Sequence, residues 1–166
     1  MIIRKTNLDD IPYLNGIYSH AREEMKRNGN PLQWKDIEPK ENRLLRYIRA
    51  GHHYVVLNDN KICAAFAMIP GEDPTYKYID GKWLNDNPYL TIHCLASDNS
   101  IKGIFHFIME YAFKFEKTIR IDTHQDKAIM LHLLKKSGFI FCGTIYLENE
   151  EPRLAFMKTL NLYVNS

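Results

Sequence analysis

The sequence is poor in cysteine. Only Cys63, Cys94 and Cys142 occur among 166 residues, odd in number, far apart and without a Cys-x-x-Cys spacing. That excludes a disulfide framework and a thiolate zinc site, and it makes a reducing cytoplasm the expected compartment. Long apolar runs are lacking too. The longest, over 62–70, is too short to span a bilayer. Met1-Ile-Ile-Arg-Lys has no signal-peptide stretch, so no membrane partner is expected. Neither charge is in surplus: 22 Lys and Arg against 20 Asp and Glu leave a net charge of +2. A dedicated nucleic-acid binder carries a strong basic excess, so no nucleic-acid partner is expected. Repeats, low-complexity tracts and linkers are missing. So are a Gly-x-Ser-x-Gly elbow and a P-loop. His52-His53 with Asp59 has no metal-ligand spacing, and no metal is expected.

What is present is a globular mix, 45% hydrophobic and 25% charged. It fits one domain over 1–160 followed by a short tail, 161–166. A β-branched start over 2–5 predicts an edge strand. Asn7 can cap a following helix, in which Ile11, Leu14, Tyr18, Ala21 and Met25 recur at helical spacing. A second helix is expected over 40–50. Strands follow over 54–57 and 62–69, joined by hairpin residues Asn58-Asp59-Asn60-Lys61. The second of these is apolar on both faces and should be central. The segment 70–88 predicts a long loop, and its aromatics Tyr76, Tyr78 and Trp83 favour an ordered binding role. Strands over 89–96, 119–123, 139–146 and 153–160 and helices over 103–117 and 126–137 complete an α/β chain around one mixed, mostly antiparallel sheet flanked by helices.

Three sequence signals carry a resemblance over nearly the whole chain. One is a strand, a polar loop, a glycine and a helix: Ile92-His93-Cys94-Leu95-Ala96, Ser97 to Lys102, then Gly103. The second is Ile119-Arg120-Ile121-Asp122-Thr123-His124, followed by a helix and Lys136-Ser137-Gly138-Phe139. The third is Gln33-Trp34, Gly71-Glu72-Asp73-Pro74-Thr75-Tyr76 and Phe141-Cys142-Gly143. Their order and spacing resemble the GNAT acyltransferase superfamily, and within it a small bacterial branch without an assigned substrate.

The resemblance implies a GNAT fold and acetyl-CoA as co-substrate. It implies an N-acetyltransferase acting on the amine of a small molecule or peptide. Family members are often homodimers. The pyrophosphate would lie on the amides of Ile101, Lys102, Gly103 and Ile104, with the charge of Lys102 beside it. Leu95 and Ala96 occupy the stretch whose backbone bonds the pantetheine arm in the family. Lys127 stands where the family often places an Asn that meets the pantetheine. The chain departs from the family at Ser100, Phe105, Lys127 and Leu134, the last standing where a Tyr commonly protonates the leaving thiolate. These departures motivate an alternative: a catalytically weak GNAT-fold protein that binds acyl-CoA or a partner.

Transfer to an amine needs a base, an oxyanion donor and a departing thiolate. His93 is the first candidate base, placed by strand alternation on one face with Thr91 and Leu95. The bland alternative is a core histidine bonded to backbone. Asp122 and His124 share a face, so the aspartate can orient the imidazole or hold a cationic acceptor; capping the next helix is the alternative. Gln33, Trp34, Tyr76 and Trp83 can wall the acceptor site or simply pack under loops. Arg120 and Arg153 can bind an acidic acceptor group. Cys94, adjacent to His93 on a strand, points to the other face by alternation and cannot pair with it.

Overall fold

The computed structural model describes residues 1–30, 33–34 and 38–161. Of the expected tail only Asn161 falls among them. In chain order the elements are β1 (Ile2–Lys5), α1 (Ile11–Arg27), α2 (Glu41–Arg49), β2 (His53–Asn58), β3 (Lys61–Pro70), β4 (Asp80–Gly81), β5 (Leu90–Ser97), α3 (Ile104–Ala112), β6 (Thr118–Thr123), α4 (Ala128–Lys136), β7 (Ile140–Tyr146) and β8 (Pro152–Thr159). They build one sheet in the order β1-β2-β3-β5-β6-β8-β7-β4. Every neighbouring pair is antiparallel except β5 with β6.

Local chemistry explains the elements. The Asn7 side chain accepts the Asp9 amide and Asp10 reaches back to the Asn7 amide, a capping box on the single 3-10 turn that leads into α1. Leu14, Ile17, Tyr18, Ala21 and Met25 form the buried stripe of α1. β3, bordered by β2 and β5, buries residues 63–68 on both faces. Helices α1 and α2 cover one face of the sheet, on Val55, Ala65, Cys94 and Ala96. Helices α3 and α4 cover the other, on Phe66, Ile92, Ile121 and Phe156. The expected helix over 103–117 is shorter: α3 stops at Ala112 and tightens into turns, with Lys114 bonded to Tyr111 and Phe115 to Ala112.

The long segment between β3 and β5 is an ordered strap over the α1/α2 face of the sheet. Tyr76, Trp83 and Tyr89 pack there against Ile145 and Ala155. Its two-residue strand β4 makes the outer edge of the sheet, pairing Gly81 with Gly143 of β7. A Cβ on either glycine would run into the backbone of the other strand, so both positions demand glycine.

Two irregularities of β5 make the site. β5 and β6 pair only at Leu90–Ile119 and Thr91–Arg120; beyond that point no ladder joins them and the strands part. On its other edge β5 bulges. Its register with β3 passes from His93 opposite Ala67 to Ala96 opposite Ala65, so Cys94 and Leu95 both face Phe66. Cys94 takes a left-handed φ of 52° to achieve this.

A candidate acyl-transfer cleft

The parted strands open a cavity of about 230 Å³, lined among others by Trp34, Arg43, His93, Asp122, Thr123 and Lys127. A second, larger groove of about 1660 Å³ runs along Leu95–Ser97, the loop before α3 and the first turn of α4. The two share Leu95, Phe105, Lys127 and Met130. The cleft thus passes from one face of the sheet to the other where β5 and β6 separate.

The groove side is built by a helix start. Gly103, at φ 80°, turns the chain into α3, and a Cβ there would meet nothing within 4 Å. The amides of Ile101, Lys102, Gly103 and Ile104 have no hydrogen-bond partner among the described residues, as the exposed N-terminus of a helix requires. Phe105 does not fill this space. Its ring is 5% exposed and packs edge-on against Phe139 in the core. Ile101, Lys102, Gly103 and Ile104 line the groove together with Leu95 and Ala96.

On the smaller side His93 is the centre. Its Nε2 lies 2.8 Å from Asp73 Oδ2 and its Nδ1 3.9 Å from Asp122 Oδ2. The short contact makes Nε2–H the donor to Asp73, and leaves the Nδ1 lone pair beside Asp122 on the cavity side. Asp73 is held in turn: its Oδ1 accepts the Thr75 amide at 2.9 Å and the Thr75 hydroxyl at 2.7 Å. Burial pushes the Asp73 carboxyl up, but the hydrogen bond and electrostatic attraction of His93, with the two bonds from Thr75, outweigh it and bring it down to about 2. Asp122 Oδ2 accepts the Tyr76 hydroxyl at 2.7 Å.

Lys127 reaches the junction from the residue before α4. Its ammonium lies 5.2 Å from the centre of the Trp34 ring, and no carboxylate of the described residues pairs with it. Burial lowers it to about 8 against a small opposing effect of Cys94. The Thr123 hydroxyl, on a residue 1% exposed at the cavity wall, has no hydrogen-bond partner in the described structure.

Several expectations are corrected. Alternation groups Leu95 with His93, but the bulge at Cys94 turns Leu95 to the α3/α4 face while Cys94 and Ala96 pack toward α1. The Cys94 thiol is pushed up to about 11 by burial and stays protonated. Asp122 faces His93 and not His124, whose Nδ1 accepts the Asp126 amide at 3.1 Å outside both cavities. β6 ends at Thr123, so strand alternation no longer places His124.

Tyr76 and Trp83 are not cavity walls. Tyr76 lies beneath the strap, 3% exposed, and Trp83 donates to its carbonyl. Arg120 is stacked between the Trp83 and Tyr89 rings, 4.0 Å from each centre, and donates to the Asn85 carbonyl, so it pins the strap. Arg153 does line the smaller cavity, tied to Glu151 at 3.2 Å. Gln33 lines it as well and accepts a hydrogen bond from Asn30. Asp73, Arg43 and Thr123 belong to the site although the sequence reading does not select them. Asp73 sits in an Asp-Pro-Thr turn, whose local signal is capping, and its meeting with His93 is set by the strap.

Among the described residues no group of three or more His, Cys, Asp or Glu could hold a metal ion, and no helix is long and apolar enough to cross a membrane. No family model matches the chain, and no curated protein matches it. Solved structures do. A crystal structure of an acetyltransferase of the GNAT family from Streptococcus agalactiae is 29% identical, with a TM-score of 0.87 over 96% of this chain and 95% of that one. A GNAT-family acetyltransferase from Listeria monocytogenes matches at 16% identity and a TM-score of 0.71, over 96% and 94% of the two chains. A Drosophila melanogaster polyamine N-acetyltransferase, which forms N-acetylagmatine, matches at 17% identity and a TM-score of 0.66, over 96% and 99%.

Proposed function

We propose that this chain, a member of the GNAT family of N-acetyltransferases, takes its acetyl group from acetyl-CoA and delivers it to the amine of a small molecule or peptide. The observation that carries this reading is the meeting of the two cavities at Leu95, Phe105, Lys127 and Met130. The groove with the free amides of 101–104 suits the pyrophosphate of CoA. The smaller cavity suits an amine, whose ammonium fits between Asp122 and the Nδ1 lone pair of His93. His93, oriented by Asp73, then takes the proton that the amine must lose before it attacks. Three free, buried cysteines suit a reducing cytoplasm.

Calorimetric titration with acetyl-CoA and desulfo-CoA tests the reading, with Gly103→Glu as control. Stoichiometric binding that the variant loses is expected, because a carboxylate at 103 would project into the groove. An amine screen that reads released CoA thiol follows, with His93→Ala expected to remove turnover. Absence of binding at millimolar CoA would refute the reading.

A second reading has one observation in its favour. Leu134 is fully buried where the family resemblance places a proton-donating Tyr, which suits a protein that binds acyl-CoA with weak catalysis. Tight binding with no turnover across the screen would select it.

A further inference from the structure

A departing CoA thiolate needs a proton, and the chain lacks the expected donor. Leu134 is fully buried in the core under α4. Two nearby phenols are engaged elsewhere: Tyr18 donates to the Cys94 carbonyl at 2.8 Å and Tyr76 to Asp122. Burial holds both phenols well above their usual range. The Cys94 thiol is likewise too weak an acid. Of the four residues shared by the two cavities, Leu95, Phe105, Lys127 and Met130, only Lys127 carries a transferable proton.

We infer that Lys127 is the acid of the transfer: its ammonium pairs with the sulfur leaving the acetyl group and gives it a proton. The inference rests on the acetyl-CoA reading above. The step balances without a further reactant. The amine lone pair forms the C–N bond, the C–S bond breaks with its electron pair going to sulfur, and the Nζ proton moves to that sulfur. The amine proton leaves to His93, and Lys127 regains its own from water in the open cleft.

The surroundings favour this role over a structural one. Lys127 is half-buried where the two cavities meet, and among the described residues its ammonium has the Trp34 ring beside it and no ion-pair partner, so no structural salt bridge holds it. The charged and titratable groups that line the smaller cavity with it are Cys94 from β5, Glu38 and Arg43 from the α2 side, His93 and Asp122 across the cavity, and Glu151 and Arg153 at the start of β8, and no ion pair joins any of these to Lys127 among the described residues. Lowered to about 8 by burial, the ammonium lies close to a free thiol at about 8.5, the match that efficient proton transfer requires.

The test titrates the thiol of bound CoA by thiolate ultraviolet absorbance. Wild type and Lys127→Met are each held at saturating CoA, and the CoA-free protein is subtracted. In the wild type the bound thiol should ionise at least about one pH unit below the free thiol, a tenfold change, and Lys127→Met should abolish that shift. Lys127→Arg should keep the shift, because the charge remains, yet lose turnover at least about tenfold, because guanidinium holds its proton. Equal midpoints in wild type and Lys127→Met would overturn the proposal while leaving the acetyl-CoA reading intact. A Lys127→Arg enzyme with full turnover would also overturn it. Failure of wild type to bind CoA at all would remove the acetyl-CoA reading and this proposal with it.

Discussion

Replacing Asp73 by asparagine should reverse the proton on His93 without undoing the strap. In the wild type, Oδ1 accepts two bonds from Thr75 and Oδ2 accepts the His93 Nε2–H. The Thr75 donors fix which oxygen faces the turn, so the amide nitrogen of the introduced asparagine must replace Oδ2. It then donates to Nε2, and the ring hydrogen moves to Nδ1, the nitrogen that faces the acceptor cavity. An imidazole with its hydrogen there cannot take the proton of the amine. Loss of a positioned base costs about 100-fold to 10,000-fold in rate, and an inverted tautomer with intact geometry belongs at the severe end.

The same variant has a stability signature. The fall of Asp73 from 3.8 to about 2 is worth on the order of 2 kcal/mol above pH 4. The folded carboxyl is the stronger acid, so this contribution is complete above its unfolded pKa and fades as pH falls toward 2. Denaturant unfolding at pH 7, 5 and 3 should show the gap between wild type and Asp73→Asn roughly halved at pH 3. Nitrogen NMR of the His93 ring reads the tautomer directly, and CoA release in the presence of a responsive amine reads the rate. Unchanged turnover, or a stability gap independent of pH, would refute the reasoning.

Three further outcomes follow from the same geometry. His53 is fully buried between Thr6 and Tyr18, and burial lowers it to about 4, opposed slightly by Asp10. Its depressed folded pKa makes stability fall as pH drops from 6.5 toward 4, by on the order of 3 kcal/mol, and His53→Gln should flatten that limb in urea titrations. Tyr18→Phe removes the hydroxyl that holds the Cys94 carbonyl of the bulge, leaving two buried polar groups unpaired. A loss of about 1–3 kcal/mol is expected, together with weaker CoA binding by calorimetry. Arg120→Leu releases the strap from its stack on Trp83 and Tyr89. Trp83 fluorescence should shift and limited proteolysis should speed up within 71–89, with about 1–2 kcal/mol lost per ring stack.

Much of the fold was legible because its signals are local. Capping at Asn7, the helical stripe of α1, the two-sided apolar run of β3 and the glycine before α3 each act within a few residues. His93 and Asp122 could be selected as chemically apt strand residues for the same reason, and Lys127 through the family resemblance, as a residue beside the pantetheine. Their partners could not. Strand alternation assumes a regular ladder, and the left-handed Cys94 breaks it, sending Leu95 to the opposite face. That bulge is held by Tyr18, 76 residues away in sequence.

The sequence by itself determined the composition of an α/β domain, the order of its elements and the polar loop and glycine that leave amides free at the head of α3. Only the tertiary structure decided that Asp73 and not His124 joins His93 and Asp122, that Tyr76 and Trp83 brace a strap, and that Lys127 stands between two cavities with no ion-pair partner among the described residues. The reason is distance along the chain. Propensity and capping act over a few residues, whereas a charge finds its partner only after strands from separate parts of the chain have been set side by side, and here two of those strands part again to make the site.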